Sequence, residues 1–273
     1  MSASLTYVYC LIRADRQPSL RGVPRGMPGS GPVSLLEVAG MTAHGRGAAS
    51  KDRAGRHWLV VSRVPASAYG EEALERGLQQ LAWVSERALA HEAVIEHFLG
   101  SAAVLPMQLF ALFTTEARAV DHVVGDRRRI SRILSRIAGR AEWGVRLTWD
   151  PAAEGDTPGR QGSRRTRSAA LTGAAYLARK RDLRDTTRAR LQQGRAGGAR
   201  LYRAAKAAAA DARRRTEIEQ AASGSRVLLD AAFLVPAGRA RGFRAIVQRH
   251  ARALKESGVT VALSGPWPAY NFI

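Results

Sequence analysis

The chain has 273 residues, is 45% hydrophobic and carries a formal net charge of +20 at pH 7. This length can bury a sizeable core as one large or two small domains, and the single cysteine, Cys10, excludes an internal disulfide framework. No apolar run is long enough to span a bilayer, and Arg13, Asp15 and Arg16 interrupt any secretory-signal pattern, so we expect a cytoplasmic protein without membrane insertion.

The first half is predicted to be a small α+β unit. Strands are predicted at 5–12, 33–39 and 58–61, separated by loops at 13–32 and 40–56. From Glu71, apolar residues recur at spacings of three and four, which predicts one long helix ended by Gly100. Its apolar stripe holds Leu74, Leu78, Leu81, Val84, Ala88, His91, Ile95 and Phe98. A short edge strand at 104–107 and a second amphipathic helix near 116–138 complete this half.

The second half is predicted to alternate strands and helices. The alternation of Glu142 to Trp149 indicates a strand, and 150–167 has loop composition. Helical propensity extends over about 169–222, where Gly194, Gly197 and Gly198 are expected to divide the helix into two pieces. A strand at 227–235, a helix near 239–256 and a strand at 259–263 follow.

This order predicts an α+β protein of two small domains, the C-terminal one ferredoxin-like. The boundary is expected near 139–142. The predicted domains are therefore 1–140 and 141–273, the second with a long Arg-rich helical insertion at about 169–222.

No catalytic pattern is complete. His91-Glu92 begins like the H-E-x-x-H zinc motif, but Ile95 stands where the second histidine is required. Because His91 lies on the apolar stripe, we predict a hydrogen-bonded core histidine. Cys10, inside a β-like run, is predicted to be a small buried side chain. We therefore predict a protein that is not an enzyme, with no catalytic, cofactor or metal site.

Several short strings occur in the order of one known family. They begin with Tyr7-Val-Tyr9, His91-Glu-Ala-Val94 and Val104-Leu-Pro-Met107, and continue with Glu142-Trp-Gly-Val145, Gly173-Ala-Ala-Tyr-Leu-Ala-Arg-Lys180, Ala231-Ala-Phe-Leu-Val235 and the ending Ser264-Gly-Pro-Trp-Pro-Ala-Tyr-Asn-Phe272. Together they resemble the gas vesicle protein F/L family, the accessory proteins of gas vesicle formation. The chain departs from the family pattern after Pro106, at 107–113.

The resemblance implies a non-enzymatic protein of two α+β domains in the cytoplasm and at the gas vesicle. Its expected partners are the shell subunit, gas vesicle protein A, and other accessory proteins, and it is a possible minor structural component of the vesicle. Charge and spacing make Arg179, Lys180, Arg181 and Arg184 the candidate partner-binding residues. The aromatic tail at 265–273 and Trp143 are expected to pack inside the C-terminal domain.

A second hypothesis rests on charge. Residues 151–220 hold 17 basic and 7 acidic side chains, a local net of +10, so a polyanion or nucleic-acid binder acting through 160–215 is an alternative. Aromatic residues that stack on bases are scarce there, only Tyr176 and Tyr202, and no nucleic-acid-binding motif is evident. We therefore expect no specific nucleic-acid partner.

Overall fold

A computed structural model describes residues 3–41, 55–150, 173–215 and 225–273. Its contacts divide the chain into two units, Met1–Glu142 with Pro266–Ile273, and Trp143–Gly265. The predicted loops at 40–56 and 150–167 lie largely outside the described residues. Mixed helices and sheets make the protein α+β, as predicted.

The N-terminal unit is built on an antiparallel sheet. Its strands are β1 (Ser4–Ala14), β2 (Ser34–Glu37), β3 (Arg56–Pro65), β4 (Ala103–Pro106) and β5 (Leu112–Phe113). The order is β2-β3-β1-β4, with β5 also paired to β1. Every residue from Thr6 to Ile12 is buried, because β1 is central and its β-branched and aromatic side chains are covered on both faces. Cys10 is fully buried in it, as predicted.

The described residues of the same unit also form five α-helices. They are α1 (Ala66–Tyr69), α2 (Glu71–Leu78), α3 (Leu81–His97), α4 (Glu116–Gly125) and α5 (Arg127–Ile137). The prediction of one long helix from Glu71 is wrong, because the backbone at Gln80 is extended (φ −115°, ψ 105°). Leu78 and Leu81 flank this break and are 54% and 81% exposed instead of belonging to a buried stripe. The predicted helix at 116–138 is likewise two helices that meet at Asp126.

Gly77 fixes the packing of α2 against α3. A Cβ at this position would lie 2.6 Å from Cδ2 of the Trp83 indole. That ring is confined, since the Arg87 guanidinium lies 3.8 Å from its centroid and Phe110 stacks on it at 5.4 Å. The glycine is therefore a site of close approach.

We expect Gly77→Ala to lower the free energy of unfolding by about 1–3 kcal/mol, because overpacking exceeds the roughly 1 kcal/mol gain in helix propensity. Urea denaturation measures the change. Gly125→Ala in α4 is the matched control, since a Cβ there meets nothing within 4 Å. Equal or greater stability of both variants would contradict this account of the helix pair.

The C-terminal unit carries the second sheet. Its elements are β6 (Arg140–Trp149, beginning in the N-terminal unit), α6 (Gly173–Ala208), β7 (Asp211–Arg214), β8 (Arg226–Pro236), α7 (Ala240–Lys255) and β9 (Val259–Trp267). The strand order is β7-β8-β6-β9. The core packs α6 and α7 on this sheet, with Trp143, Leu147, Leu201, Phe233, Phe243 and Leu254 among its buried residues. Trp143 therefore lies where the sequence predicted it.

The glycines of α6 do not divide the helix, contrary to the prediction. Gly194, Gly197 and Gly198 are buried within one continuous helix. A Cβ at Gly197 would lie 2.3 Å from Cδ2 of Leu254, and one at Gly194 would lie 2.9 Å from Cγ2 of Val259. Close packing on neighbouring elements thus offsets the helix propensity that the glycines lose. The helix is also shorter than the predicted 169–222, because 211–214 forms β7 against β8.

The aromatic tail belongs to the N-terminal unit, so its predicted place in the C-terminal domain is wrong. Phe272 is fully buried. The backbone N–H of Asn271 donates to Oε2 of Glu142 at 2.8 Å, and the Tyr270 hydroxyl donates to the Glu92 carboxylate. Polar contacts with acidic groups of the N-terminal unit, together with apolar burial, hold this terminus.

Candidate partner interface

Helix α6 has a packed half and an exposed half. Its buried residues, from Gly194 to Ala205, recur at spacings of three and four and face the C-terminal core. Every residue from 176 to 189 is exposed. We call residues 176–189 the arm.

The arm continues the apolar face of the packed half. Tyr176 and Leu183 are seven residues apart, and Leu183 precedes Gly194 by eleven, so all three lie on one side of an ideal helix. Tyr176 and Leu183 are nevertheless 57% and 62% exposed, and neighbouring Leu177 is 54% exposed. Exposed apolar side chains along one helix face are typical of a surface that binds another protein.

The structure places all four predicted partner-binding residues on the arm. Arg179, Lys180, Arg181 and Arg184 are exposed, and no ion pair joins them to another described residue. Lys180 and Arg184 are one turn apart and share a face, whereas Arg179 and Arg181 lie to either side. The arm holds five basic and two acidic residues, a net charge of +3. It combines basic and apolar groups on a helix that is open to solvent.

The basic residues beyond the arm are less available. The Arg214 guanidinium lies 4.3 Å from the centroid of the Tyr202 ring, a cation–π contact. Nε of Arg215 lies 3.1 Å from Oδ1 of Asp230, which also pairs with Arg146 at 3.6 Å. Intramolecular partners thus occupy part of the stretch assigned to polyanion binding. Residues 160–172 of that stretch lie outside the described residues.

His91 is a core residue, as predicted. Its Nε2 lies 3.2 Å from the carbonyl oxygen of Met107, which can only accept, so Nε2 carries the proton. Nδ1 then accepts from the Tyr7 hydroxyl at 2.7 Å, and that hydroxyl accepts from the Phe110 N–H at 3.3 Å. Burial lowers the pKa of His91 to about 4, against a smaller opposing effect of the Met107 carbonyl. The histidine joins α3 to the segment after β4.

Sequence reasoning missed an exposed apolar surface on α2 and α3. Leu78, Leu81 and Leu89 are 54%, 81% and 73% exposed. Residues 71–97 hold six glutamates and two arginines, a net charge of −4 in a strongly basic chain. We call these three leucines and the glutamates around them the acidic leucine face. In the sequence, the cluster of acidic residues could have indicated this surface. The prediction instead placed Leu78 and Leu81 on a buried stripe.

Comparison with known proteins identifies the family. Residues 5–273 match the family model described as "Gas vesicle synthesis protein GvpL/GvpF". Gas vesicle protein L of Streptomyces sp. (strain CB03234) is 30% identical over 272 residues, which cover 98% of this chain and 92% of that protein. The chain therefore belongs to the GvpL/GvpF family of gas vesicle proteins, and an accessory role in gas vesicle formation is supported.

Two solved structures share the fold. The gas vesicle protein GvpF from Anabaena sp. PCC7120 aligns with a TM-score of 0.59 at 15% identity, over 98% of this chain and 95% of that one. GvpF from Microcystis aeruginosa aligns with a TM-score of 0.55 at 12% identity, over 99% of both chains. At these identities the likeness supports the fold alone.

The described residues offer neither a membrane-spanning helix nor a metal-binding cluster. None of the helices they form is long and apolar enough to cross a membrane. Nor do three or more His, Cys, Asp or Glu side chains within the described ranges come together as a possible metal site.

Proposed function

We propose that this protein binds the gas vesicle shell subunit, gas vesicle protein A, during assembly, and that it also associates with other accessory proteins. The family match over residues 5–273 carries the proposal. A shell of apolar subunits requires that their surface be covered until they polymerise, and a soluble binder can cover it. The protein then acts by association, without catalysis or a cofactor, in the cytoplasm and at the vesicle.

The arm is the proposed contact surface. Tyr176 and Leu183 offer apolar area, and the four cations Arg179, Lys180, Arg181 and Arg184 surround it. Such a helix can bind an apolar, acidic segment of a partner by both burial and charge.

We also propose that the C-terminal domain is ferredoxin-like. Support comes from its element order, β-α-β-β-α-β, and from its strand order β7-β8-β6-β9, in which the first and third strands are central. The contacts change unit after Glu142, near the predicted boundary. The proposed domain ends at Gly265, within β9, since Pro266–Ile273 is grouped with the N-terminal unit.

Co-purification tests the proposed function. In nuclease-treated cells that co-express the shell subunit, we expect the tagged protein to recover that subunit at about 0.3 M salt, which screens attraction between distant charges but acts much less on ion pairs in direct contact. Replacing Arg179, Lys180, Arg181 and Arg184 by serine is expected to reduce recovery about tenfold, because the charged part of the contact is lost. Quantitative immunoblotting of the eluates measures the amount of shell subunit recovered.

The control removes the same charge elsewhere. Serine at Arg118, Arg127, Arg128 and Arg132 takes four exposed cations from α4 and α5 and is expected to leave recovery unchanged. An equal loss in both variants would assign the effect to net charge. Absence of the shell subunit from the wild-type eluate, with nucleic acid in its place when nuclease is omitted, would favour the polyanion hypothesis.

A further inference from the structure

The exposed large apolar side chains are concentrated on two surfaces. Across the described ranges, eight such side chains are exposed, and six of them lie on the arm or on the acidic leucine face. The arm has Tyr176, Leu177 and Leu183, the acidic leucine face has Leu78, Leu81 and Leu89, and the other two, Tyr270 and Ile273, are in the tail. Apolar groups that cluster in this way indicate binding surfaces.

The two surfaces have opposite charge. The arm has a net charge of +3 over residues 176–189, and the helices of the acidic leucine face have −4 over 71–97. Helical spacing puts the charges beside the leucines. Glu75 precedes Leu78 by three residues, and Glu86, which also pairs with Arg87 at 3.1 Å, precedes Leu89 by three. On the arm, Arg179 and Lys180 precede Leu183 by four and three residues.

The helical geometry of the two surfaces is also compatible. Leu81, Ser85 and Leu89 follow a spacing of four along α3, so the leucines are about 12 Å apart along the axis. Tyr176 and Leu183 are seven residues apart, or about 10 Å along α6. The residues between the two leucines include Ala82 and Ser85, whose side chains are small, so a second helix can approach α3 closely.

We propose that the arm of one copy of this chain binds the acidic leucine face of a second copy. The two surfaces carry opposite charge, and each has exposed apolar side chains that the other can cover. A second molecule of the same protein is therefore a suitable binding partner. The inference rests on the arm being an interaction surface, as proposed above. Because the two surfaces differ, the contact is head-to-tail, and each added copy leaves one arm and one acidic leucine face free to bind further copies.

Two variants, each disabling one surface, test this arrangement. The face variant carries Leu81→Asp and Leu89→Asp, and the arm variant carries Tyr176→Asp and Leu183→Asp. These four side chains are more than half exposed, so the substitutions remove no core contact. The control variant carries Ala178→Asp and Ala189→Asp, which add the same charge to the opposite side of the arm.

Sedimentation velocity on the purified full-length chain is the measurement, at concentrations up to about 100 µM, which span the micromolar affinities of transient interfaces. The weight-average mass of the wild type and of the control variant is expected to rise with concentration. The face variant and the arm variant are each expected to sediment as single chains. Their equimolar mixture is expected to form a complex of two chains, since each variant retains one working surface.

The mixture separates this proposal from other kinds of association. A symmetric contact through either surface alone, or non-specific adhesion, would not give a two-chain complex from two monomeric variants. A monomeric wild type, a face or arm variant that still associates, or a mixture that stays monomeric would each overturn the inference.

The outcome is distinguishable from that of the proposed function, because no shell subunit is present. The face variant keeps the arm and is expected to recover the shell subunit as the wild type does. Self-association without shell-subunit recovery would refute only the proposed function. Recovery without self-association would refute only the head-to-tail contact.

Discussion

Phe243→Ala is expected to lower the free energy of unfolding of the C-terminal unit by about 3–5 kcal/mol, the range for removing a buried phenyl ring and leaving a cavity. Phe243 lies on α7 and is fully buried. Its ring centroid is 5.4 Å from that of Phe233 on β8 and 6.1 Å from that of Trp143 on β6. The ring therefore joins the helix to both central strands.

Urea denaturation followed by circular dichroism measures this loss. Phe243→Leu keeps most of the volume and should cost less than half as much. Leu81→Ala, at an exposed position, should change stability by less than about 0.5 kcal/mol. A loss below about 1 kcal/mol for Phe243→Ala would mean that the core can collapse around the cavity and that the three rings do not define it.

Phe243→Ala is also expected to weaken partner binding at the arm. The packed half of α6 contributes Leu201 and Ala205 to the core that holds Phe243. Because this half supports the arm, a variant that loosens the core should lose partner binding without any change in the arm itself. Effects of arm substitutions should therefore be compared at equal folded fractions.

The periodicity of apolar residues in the sequence correctly predicted which side chains are buried in several elements. The alternation of Glu142 to Trp149 correctly put Trp143 into the C-terminal core, and the helical spacing around His91 correctly made it a buried residue. Each of these patterns arises from a single helix or strand that packs one face on a core. Such a pattern can be recognised within one stretch of sequence.

Features that depend on two distant segments were missed. Strand β7 forms from Asp211–Arg214, a charged stretch that follows a helix and pairs with Ala231–Leu234 of β8. Local propensity does not register that partner. The glycines of α6 were interpreted as helix breakers for the same reason, since their contacts with Val259 and Leu254 come from β9 and α7.

The exposure of the candidate interface could be predicted from charge, and its role in partner binding stays a prediction. Charge identified Arg179, Lys180, Arg181 and Arg184, and the structure exposes all of them. The apolar stripe of α6 is buried in one half of the helix and exposed to solvent in the other. The sequence does not reveal this difference, because Leu183 and Leu201 continue the same helical spacing. The acidic leucine face escaped notice because the chain ends one helix at Leu78 and begins the next at Leu81.

The stability of the N-terminal unit is expected to fall as the pH drops from 6.5 to about 4, because of His91. Burial lowers the pKa of His91 from 6.5 to about 4 in the folded protein, so within this range the unfolded chain binds a proton that the folded chain does not. The stabilisation is fully present above pH 6.5 and disappears towards pH 4. Its magnitude is about 3 kcal/mol, from roughly 1.4 kcal/mol per pKa unit.

The measurement is the free energy of unfolding as a function of pH for the wild type and for His91→Gln. Glutamine can donate to the Met107 carbonyl and accept from Tyr7 but does not titrate in this range. The variant is expected to be less stable at pH 7, because its amide fits the site less well. The difference from the wild type should narrow by up to about 3 kcal/mol between pH 6.5 and 4, and other groups cancel in the comparison. Parallel curves would show that His91 is already charged in the folded protein, contrary to the hydrogen bonds that it makes.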